Sequence, residues 1–93
     1  MERSFKLRAR VSTDDPEAVE PVLRRLLGIE GYRVIADGFE IDAEMRGESA
    51  RELNRSILSE LRHACRRTRI RATYTHEGTT ERFFDYSLRS TSG

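Results

Sequence analysis

Arginine is the residue type through which this sequence is best equipped to bind a ligand. Arginine accounts for sixteen of the seventeen basic residues, and Lys6 is the exception. Residues 51–71 hold seven arginines and two glutamates, a net charge of +5. A guanidinium is a planar fork of donors that suits phosphate and carboxylate oxygens. We therefore predict contacts with RNA phosphates, with a solvated, ion-paired face as the alternative. The predicted nucleic-acid contacts are Arg51, Arg55, Arg62, Arg66 and Arg69.

The side chains that perform catalysis elsewhere are poorly arranged for it in this sequence. His63 and Cys65 are two positions apart on a predicted helix, so their side chains point in divergent directions. They suit neither a shared metal ion nor a nucleophile–base pair. The acidic group Asp14, Asp15 and Glu17 is explained by capping of a helix. We therefore predict a protein without enzymatic activity, metal or cofactor.

Length and composition indicate one folded domain. The chain has 93 residues, of which 37% are hydrophobic and 35% charged. That is enough for a core and too apolar for disorder, so we predict a domain over residues 1–89 and a disordered tail over 90–93. No run approaches the length of a membrane span, no secretory leader opens the sequence, and the single cysteine excludes an internal disulfide. We expect a cytoplasmic protein without membrane contact.

Periodicity predicts a first strand and two amphipathic helices. Apolar residues alternate along Ser4–Val11, which is typical of a half-buried strand. Asp15 is placed to cap a helix that ends at Gly28, and Ser49 is placed to cap a second helix. Within the first helix, Pro21 removes one hydrogen bond, which predicts a kink or a later helix start.

A hairpin is predicted over Tyr32–Met45. Asp37 and Gly38 form a strong two-residue turn signal, because both central positions of such a turn need positive φ. This turn brings apolar residues together on one face. The expected pairs are Ala36 with Phe39, Val34 with Ile41, and Tyr32 with Ala43.

A second hairpin is predicted over Thr68–Leu88, with a three-residue turn at residues 77–79. A two-residue turn is rejected because it would bury Glu81 beside Tyr74. The expected pairs are Ala72 with Phe84, Ile70 with Tyr86, and Arg71 with Asp85 as an ion pair.

The predicted element order is β-α-β-β-α-β-β, in an α+β domain. Its first six elements follow the split βαβ pattern of ferredoxin-like folds, with both helices on one sheet face. We predict an antiparallel strand order 5-4-1-3-2. The outward residues of the first and third strands carry opposite charges, as neighbouring strands should. They are Lys6, Arg8 and Arg10 on the first strand, and Glu40, Asp42 and Glu44 on the third.

The open sheet face predicts self-association rather than RNA recognition. No aromatic residue lies on the outward positions of the two central strands, where an RNA-recognition motif stacks bases. Phe83 and Ile35 fall on the open face as apolar residues, and the last strand, Phe83–Leu88, is an edge that only Asp85 and Arg89 blunt. We therefore predict a homodimer with Phe83, Asp85 and Ile35 at its interface.

The stretch Phe39–Leu61 resembles the small dimerising subunit of the KEOPS complex, which makes threonylcarbamoyladenosine in tRNA. In that family an alternating strand leads into a helix with an arginine, a leucine–asparagine pair and a further leucine. The matching residues are Phe39–Ala43, Arg51, Leu53, Asn54 and Leu58. The resemblance implies a homodimeric, non-catalytic scaffold with tRNA contacts.

We expect a homodimeric accessory subunit of an RNA-processing assembly, with RNA or tRNA and a protein as partners. Two alternatives stay open. One is a regulatory domain with a ligand pocket near the turn at Gly28–Gly31, and the other is a purely structural oligomer subunit.

Overall fold

Six strands and two helices form between residues 2 and 89, which are the residues that the computed structural model describes. The predicted tail over residues 90–93 lies outside them. Neither described helix is long and apolar enough to cross a membrane. The elements are β1 (Arg3–Ser12), α1 (Pro16–Leu27), β2 (Tyr32–Ile35), β3 (Gly38–Gly47), α2 (Ala50–Ala64), β4 (Arg69–His76), β5 (Thr79–Phe84) and β6 (Ser87–Arg89).

All described strands belong to one antiparallel sheet, in the order β2-β3-β1-β4-β5-β6. The predicted α+β class, with an antiparallel sheet and two helices, is confirmed. The strand order differs from the predicted five-strand order, because the stretch treated as one last strand contains the end of β5, a turn and β6. Arg8 lies opposite Asp42, as the charge ladder of β1 and β3 predicts.

Both helices begin at the residues that their caps predict. The Asp15 carboxylate accepts a hydrogen bond from the Ala18 amide at 3.2 Å, and the Ser49 hydroxyl accepts one from the Glu52 amide at 3.1 Å. Pro21 lies inside α1, which starts at Pro16, so the suggestion of a later start is wrong. The apolar stripes of both helices enter one core with the inward residues of the sheet.

The β2–β3 turn differs from the predicted one. Ile35 pairs with Gly38 and Val34 with Phe39, so Ala36 and Asp37 form the turn and Gly38 belongs to β3. The physical reason lies in β1. A Cβ atom on Gly38 would lie 1.9 Å from the Val11 carbonyl oxygen. Glycine is therefore required here because β1 and β3 approach each other too closely for a side chain.

The β4–β5 turn is the two-residue turn that sequence reasoning rejects. Glu77 and Gly78 adopt φ values of +49° and +81°, as a tight hairpin turn requires. Glu81 does pair with Tyr74, but it stays partly exposed, so its carboxylate keeps access to water. The expected burial penalty therefore does not arise.

This register exchanges the faces of two neighbouring aromatic residues. Phe83 pairs with Ala72 and is 3% exposed, with its ring edge-on to Tyr74 at a centroid distance of 5.7 Å. Phe84 pairs with Arg71, on the opposite face. The predictions that Phe83 lies on the open face and that Phe84 faces Ala72 are therefore wrong.

One buried polar contact joins α2 to the sheet. The Tyr74 hydroxyl, on a residue that is 1% exposed, donates to Asn54 Oδ1 at 3.2 Å. The Asn54 amide donates in turn to the Asp85 carbonyl oxygen at 2.7 Å. Burial raises the pKa of Tyr74 well above its ordinary value of 10, because the phenolate would lose its hydration.

The raised pKa of Tyr74 makes stability fall in alkaline solution. Above about pH 10 the unfolded chain ionises Tyr74 and the folded chain does not, so the free energy of unfolding should drop by up to about 1.4 kcal/mol per pH unit. Urea unfolding between about pH 9 and 11 measures this slope. Tyr74→Phe should remove most of it, and equal slopes for both chains would contradict the assignment.

Candidate nucleic-acid interface

Four arginines meet where α2 ends and β4 begins. They line a shallow depression of about 470 Å³, together with Asp14, Thr68 and Asp85. We name them the helix-end cluster: Arg62, Arg66, Arg67 and Arg69. Three of the five predicted RNA contacts are therefore brought together, and Arg67 is an addition that sequence reasoning leaves out.

Asp85 fixes two members of this cluster. Arg69 directs Nε and Nη2 to Asp85 Oδ2, both at 3.3 Å, and Arg62 Nη2 lies 3.5 Å from Oδ1. Arg62 also donates from Nε to the Thr68 carbonyl at 2.9 Å and lies over the Tyr86 ring. With its side chain 32% exposed, Arg62 is held in place as part of the fold.

Arg66 and Arg67 are the accessible members of the helix-end cluster. Both are exposed. Arg67 pairs with Asp14 at 3.7 Å, an ion pair in open solvent that contributes little to stability. Arg66 forms no ion pair with another residue of the described part of the chain. These two guanidiniums can therefore bind an external anion without first breaking a buried contact.

The two remaining predicted RNA contacts lie elsewhere on α2. Arg51 and Arg55 are exposed in the first half of the helix and do not line the depression. Arg55 Nη2 pairs with Glu52 at 3.2 Å, one turn away. The structure thus places the five predicted arginines in two groups.

The open face of the sheet carries a second basic group, which sequence reasoning treats as an ion-paired ladder. Besides Arg69, five exposed cations lie on the outward positions of β1, β4 and β5, and among the described residues those positions hold no carboxylate. We name them the sheet-face cluster: Lys6, Arg8, Arg10, Arg71 and Arg82. Their compensating charges lie on β3, where Glu40 is 3.8 Å from Arg10.

Phe84 lies between the two clusters. The guanidinium carbons of Arg69 and Arg71 are 5.2 and 5.0 Å from the centre of its ring, within cation–π range. The ring is half-buried on the open face. The position of Phe84 on the open face could have been predicted from the Glu77–Gly78 pair. A two-residue turn at these residues sets the register that places Phe84 on that face.

The three residues predicted at a dimer interface lie in different parts of the fold: the core, a turn and an outer strand. Phe83 is buried in the core, so it offers no surface. Asp85 lies in the β5–β6 turn and accepts from the Ile70 amide at 3.1 Å. It pairs with Arg62 and Arg69, and the expected ion pair with Arg71 is wrong. Ile35 lies half-buried at the outer strand β2. Dimerisation itself stays a prediction.

A depression of about 500 Å³ lies beside Glu30 and Gly31, near the turn at Gly28–Gly31 for which a ligand pocket is predicted. Its charged lining consists of Arg8, Arg10, Arg33, Arg71, Glu30, Glu40 and Asp42. Arg33 donates to Glu40 Oε1 from Nε at 2.7 Å. Much of the charge in this depression is therefore internally compensated, and ligand binding there stays a prediction.

Residues with catalytic or metal-binding potential are dispersed. Within residues 2–89 no three His, Cys, Asp or Glu side chains are grouped to hold a metal ion. Hydrogen bonds from the Thr13 hydroxyl and the Arg67 amide lower the pKa of the Cys65 thiol below its ordinary value. The exposed His63 is two positions away on the chain, so no base is arranged beside the thiol by α2 itself.

Comparison with known proteins gives no relative: no protein-family model, no curated protein and no solved structure matches this chain. Its class is defined by its own architecture. It is an α+β protein whose antiparallel sheet is covered by two helices on one face and carries arginines on the other.

Proposed function

We propose that this protein is a non-catalytic RNA-binding module. The observation that carries the proposal is the position of Arg69, which lines both the helix-end depression and a sheet-face depression shared with Arg71 and Arg10. The two clusters therefore form one continuous surface, which we name the arginine track. The arginine track consists of Arg66, Arg67, Arg69, Arg71 and Arg10.

Like charges placed opposite each other support an external anion as the partner. Arg10 and Arg71 are direct cross-strand partners, an arrangement that destabilises a sheet. Glu40 compensates Arg10 from 3.8 Å, while Arg71 lies over the ring of Phe84. A row of phosphates along the arginine track would offset this repulsion. Local conflicts of this kind are expected at functional sites.

The carboxylates of β3 limit where such a polyanion can lie. Glu40, Asp42 and Glu44 line the open face on the far side of β1 and would repel phosphates. The chain of an RNA would therefore follow β4 and the end of α2. This path includes Arg69 and Arg66 from the sequence prediction and leaves Arg51 and Arg55 outside it.

The assembly state and the RNA class rest on the resemblance. We infer a ferredoxin-like arrangement from the pairing of β1 with both β3 and β4. The likeness of residues 39–61 to the small KEOPS subunit supports tRNA as the RNA and a homodimer as the working form. In that role the protein would hold RNA for a catalytic partner.

The double variant Arg66→Gln/Arg67→Gln should weaken RNA binding about tenfold at low salt. The two side chains are exposed, so their loss removes phosphate contacts without disturbing the core. Fluorescence anisotropy with a labelled single-stranded RNA between about 50 and 200 mM salt measures the affinity. The slope of log K against log salt should fall by about 1.4, if each arginine neutralises one phosphate.

Arg24→Gln/Arg25→Gln is the matched control, since it removes an adjacent exposed arginine pair from α1, away from the arginine track. It should leave affinity within about twofold. Binding that is absent, insensitive to salt, or weakened equally by both double variants would count against the proposed function.

A further inference from the structure

Phe84 forms a wall common to two depressions on the open sheet face. One, of about 270 Å³, lies toward Arg69 and Arg10, and the other, of about 360 Å³, lies toward Arg82 and Thr73. Arg71 borders both. An aromatic ring therefore borders two depressions within a cationic surface.

Four other aromatic residues of the described chain serve the core, whereas Tyr86 is exposed beside the helix-end cluster with Arg62 over its ring. Phe5, Phe39, Tyr74 and Phe83 are buried there and pack edge-on or tilted against one another or their neighbours. Phe84 lies on the opposite face, and the guanidiniums of two arginines contact it. Its environment therefore combines a π surface with positive charge.

This combination matches the chemistry of an unpaired nucleotide. Base–aromatic stacking needs only a π face, and each phosphate needs a cation within a few ångströms. Arg69 and Arg71 lie two positions apart on β4, and Arg71 pairs directly with Phe84 across the strands. Each depression is near the lower size of small-ligand sites, about 300 Å³, which suits one nucleoside.

We propose, on the basis of the proposed function, that Phe84 is a base-stacking platform that makes the arginine track selective for single-stranded RNA. One unpaired base enters a depression beside the ring, while Arg69 and Arg71 bind the adjoining phosphates. In duplex RNA the bases are stacked on one another and their faces are closed to Phe84. Duplex RNA then binds only through phosphate contacts.

Anisotropy with three labelled probes tests this inference. The probes are an oligouridylate of about 12 nucleotides, an abasic ribose–phosphate chain of the same length, and an RNA duplex of the same length. The wild-type protein should bind oligouridylate about tenfold more tightly than the abasic chain. Phe84→Leu should remove that difference and leave the salt slope unchanged, because no phosphate contact is lost. Phe84→Tyr, the matched control, should keep it.

The outcomes separate the two proposals. If Phe84→Leu weakens the oligouridylate and the abasic chain equally, Phe84 only supports the arginines, and the stacking inference fails while RNA binding stands. If no probe binds in a salt-dependent manner, the proposed function fails as well. A fourth probe, an oligothymidylate of the same length, tests the choice of RNA. If it binds more tightly than oligouridylate, the platform belongs to single-stranded DNA and the choice of RNA is overturned.

A measurement on the unmodified protein covers the case in which Phe84→Leu does not fold. Oligouridylate containing 4-thiouridine can be photocrosslinked to the wild-type chain and the product digested with trypsin. Cleavage after Arg82 and Arg89 releases residues 83–89, which contain Phe84. The crosslink should fall on Phe84 within this peptide, and crosslinks confined to Tyr86 or to other peptides would overturn the inference.

Discussion

Gly38→Ala should lower the free energy of unfolding by about 3 kcal/mol, within the upper range for overpacking of a tight interior. The added Cβ would lie 1.9 Å from the carbonyl oxygen of Val11 and 3.2 Å from Ser12 Cα. Both obstacles are backbone atoms of β1, so no side-chain rotation relieves the contact. The β1 and β3 strands would have to separate where Ser12 pairs with Gly38. Urea unfolding followed by circular dichroism measures the loss.

Gly78→Ala is the control for this prediction. Gly78 lies in the β4–β5 turn with φ at +81°, and a Cβ there would meet nothing within 4 Å. Its replacement should cost about 1 kcal/mol, from the left-handed backbone alone. If Gly38→Ala were no more destabilising than Gly78→Ala, the close approach of β1 and β3 would be refuted.

Asp85→Ala should lower the free energy of unfolding by about 3 kcal/mol. The side chain is 17% exposed and accepts from the Ile70 amide at 3.1 Å while it pairs with Arg62 and Arg69. Its removal leaves the Ile70 amide without that acceptor, which costs about 1–3 kcal/mol. Asp85 also has φ at +55°, a conformation that alanine tolerates less well than aspartate.

Asp85→Asn distinguishes the contributions. Asparagine accepts the left-handed backbone and keeps an oxygen for the Ile70 amide, so it should cost only about 1 kcal/mol. The difference between the two variants, measured by urea unfolding, reports the hydrogen bond and the backbone together. Equal losses would mean that the charge of Asp85 toward Arg62 and Arg69 dominates, contrary to this account.

Local signals predicted the two helix starts and the pairing of β1 with β3 correctly. The caps at Asp15 and Ser49 depend on neighbouring backbone groups, so the sequence within a few residues suffices to locate them. The alternation of charge on β1 and β3 is equally local on each strand, and the meeting of Arg8 with Asp42 follows from it.

The turns could not be placed from local signals alone. At Gly38 a strong turn signal competes with the need for a residue without a side chain beside Val11, and the contact with a distant strand decides. Sequence reasoning rejects the two-residue turn at Glu77 and Gly78 because it places Glu81 opposite the buried Tyr74. Glu81 nevertheless stays partly exposed, so the turn carries no burial penalty. A shift of one residue in the partner of Ala72 then moves Phe84 to the open face, where it completes the candidate site.

The amide of Asn54 has a consequence for the uniqueness of the folded state. It is nearly inaccessible to solvent and is bonded at once to the Tyr74 hydroxyl and the Asp85 carbonyl. Apolar contacts alone would tolerate several nearly equivalent seatings of α2 over the sheet. If the helix slid or rotated, these buried polar atoms would lose their hydrogen-bond partners without gaining water. The free-energy cost of that loss favours one position of α2. The Asn54 side chain, two turns upstream, thereby also fixes the position of the arginines at the end of α2.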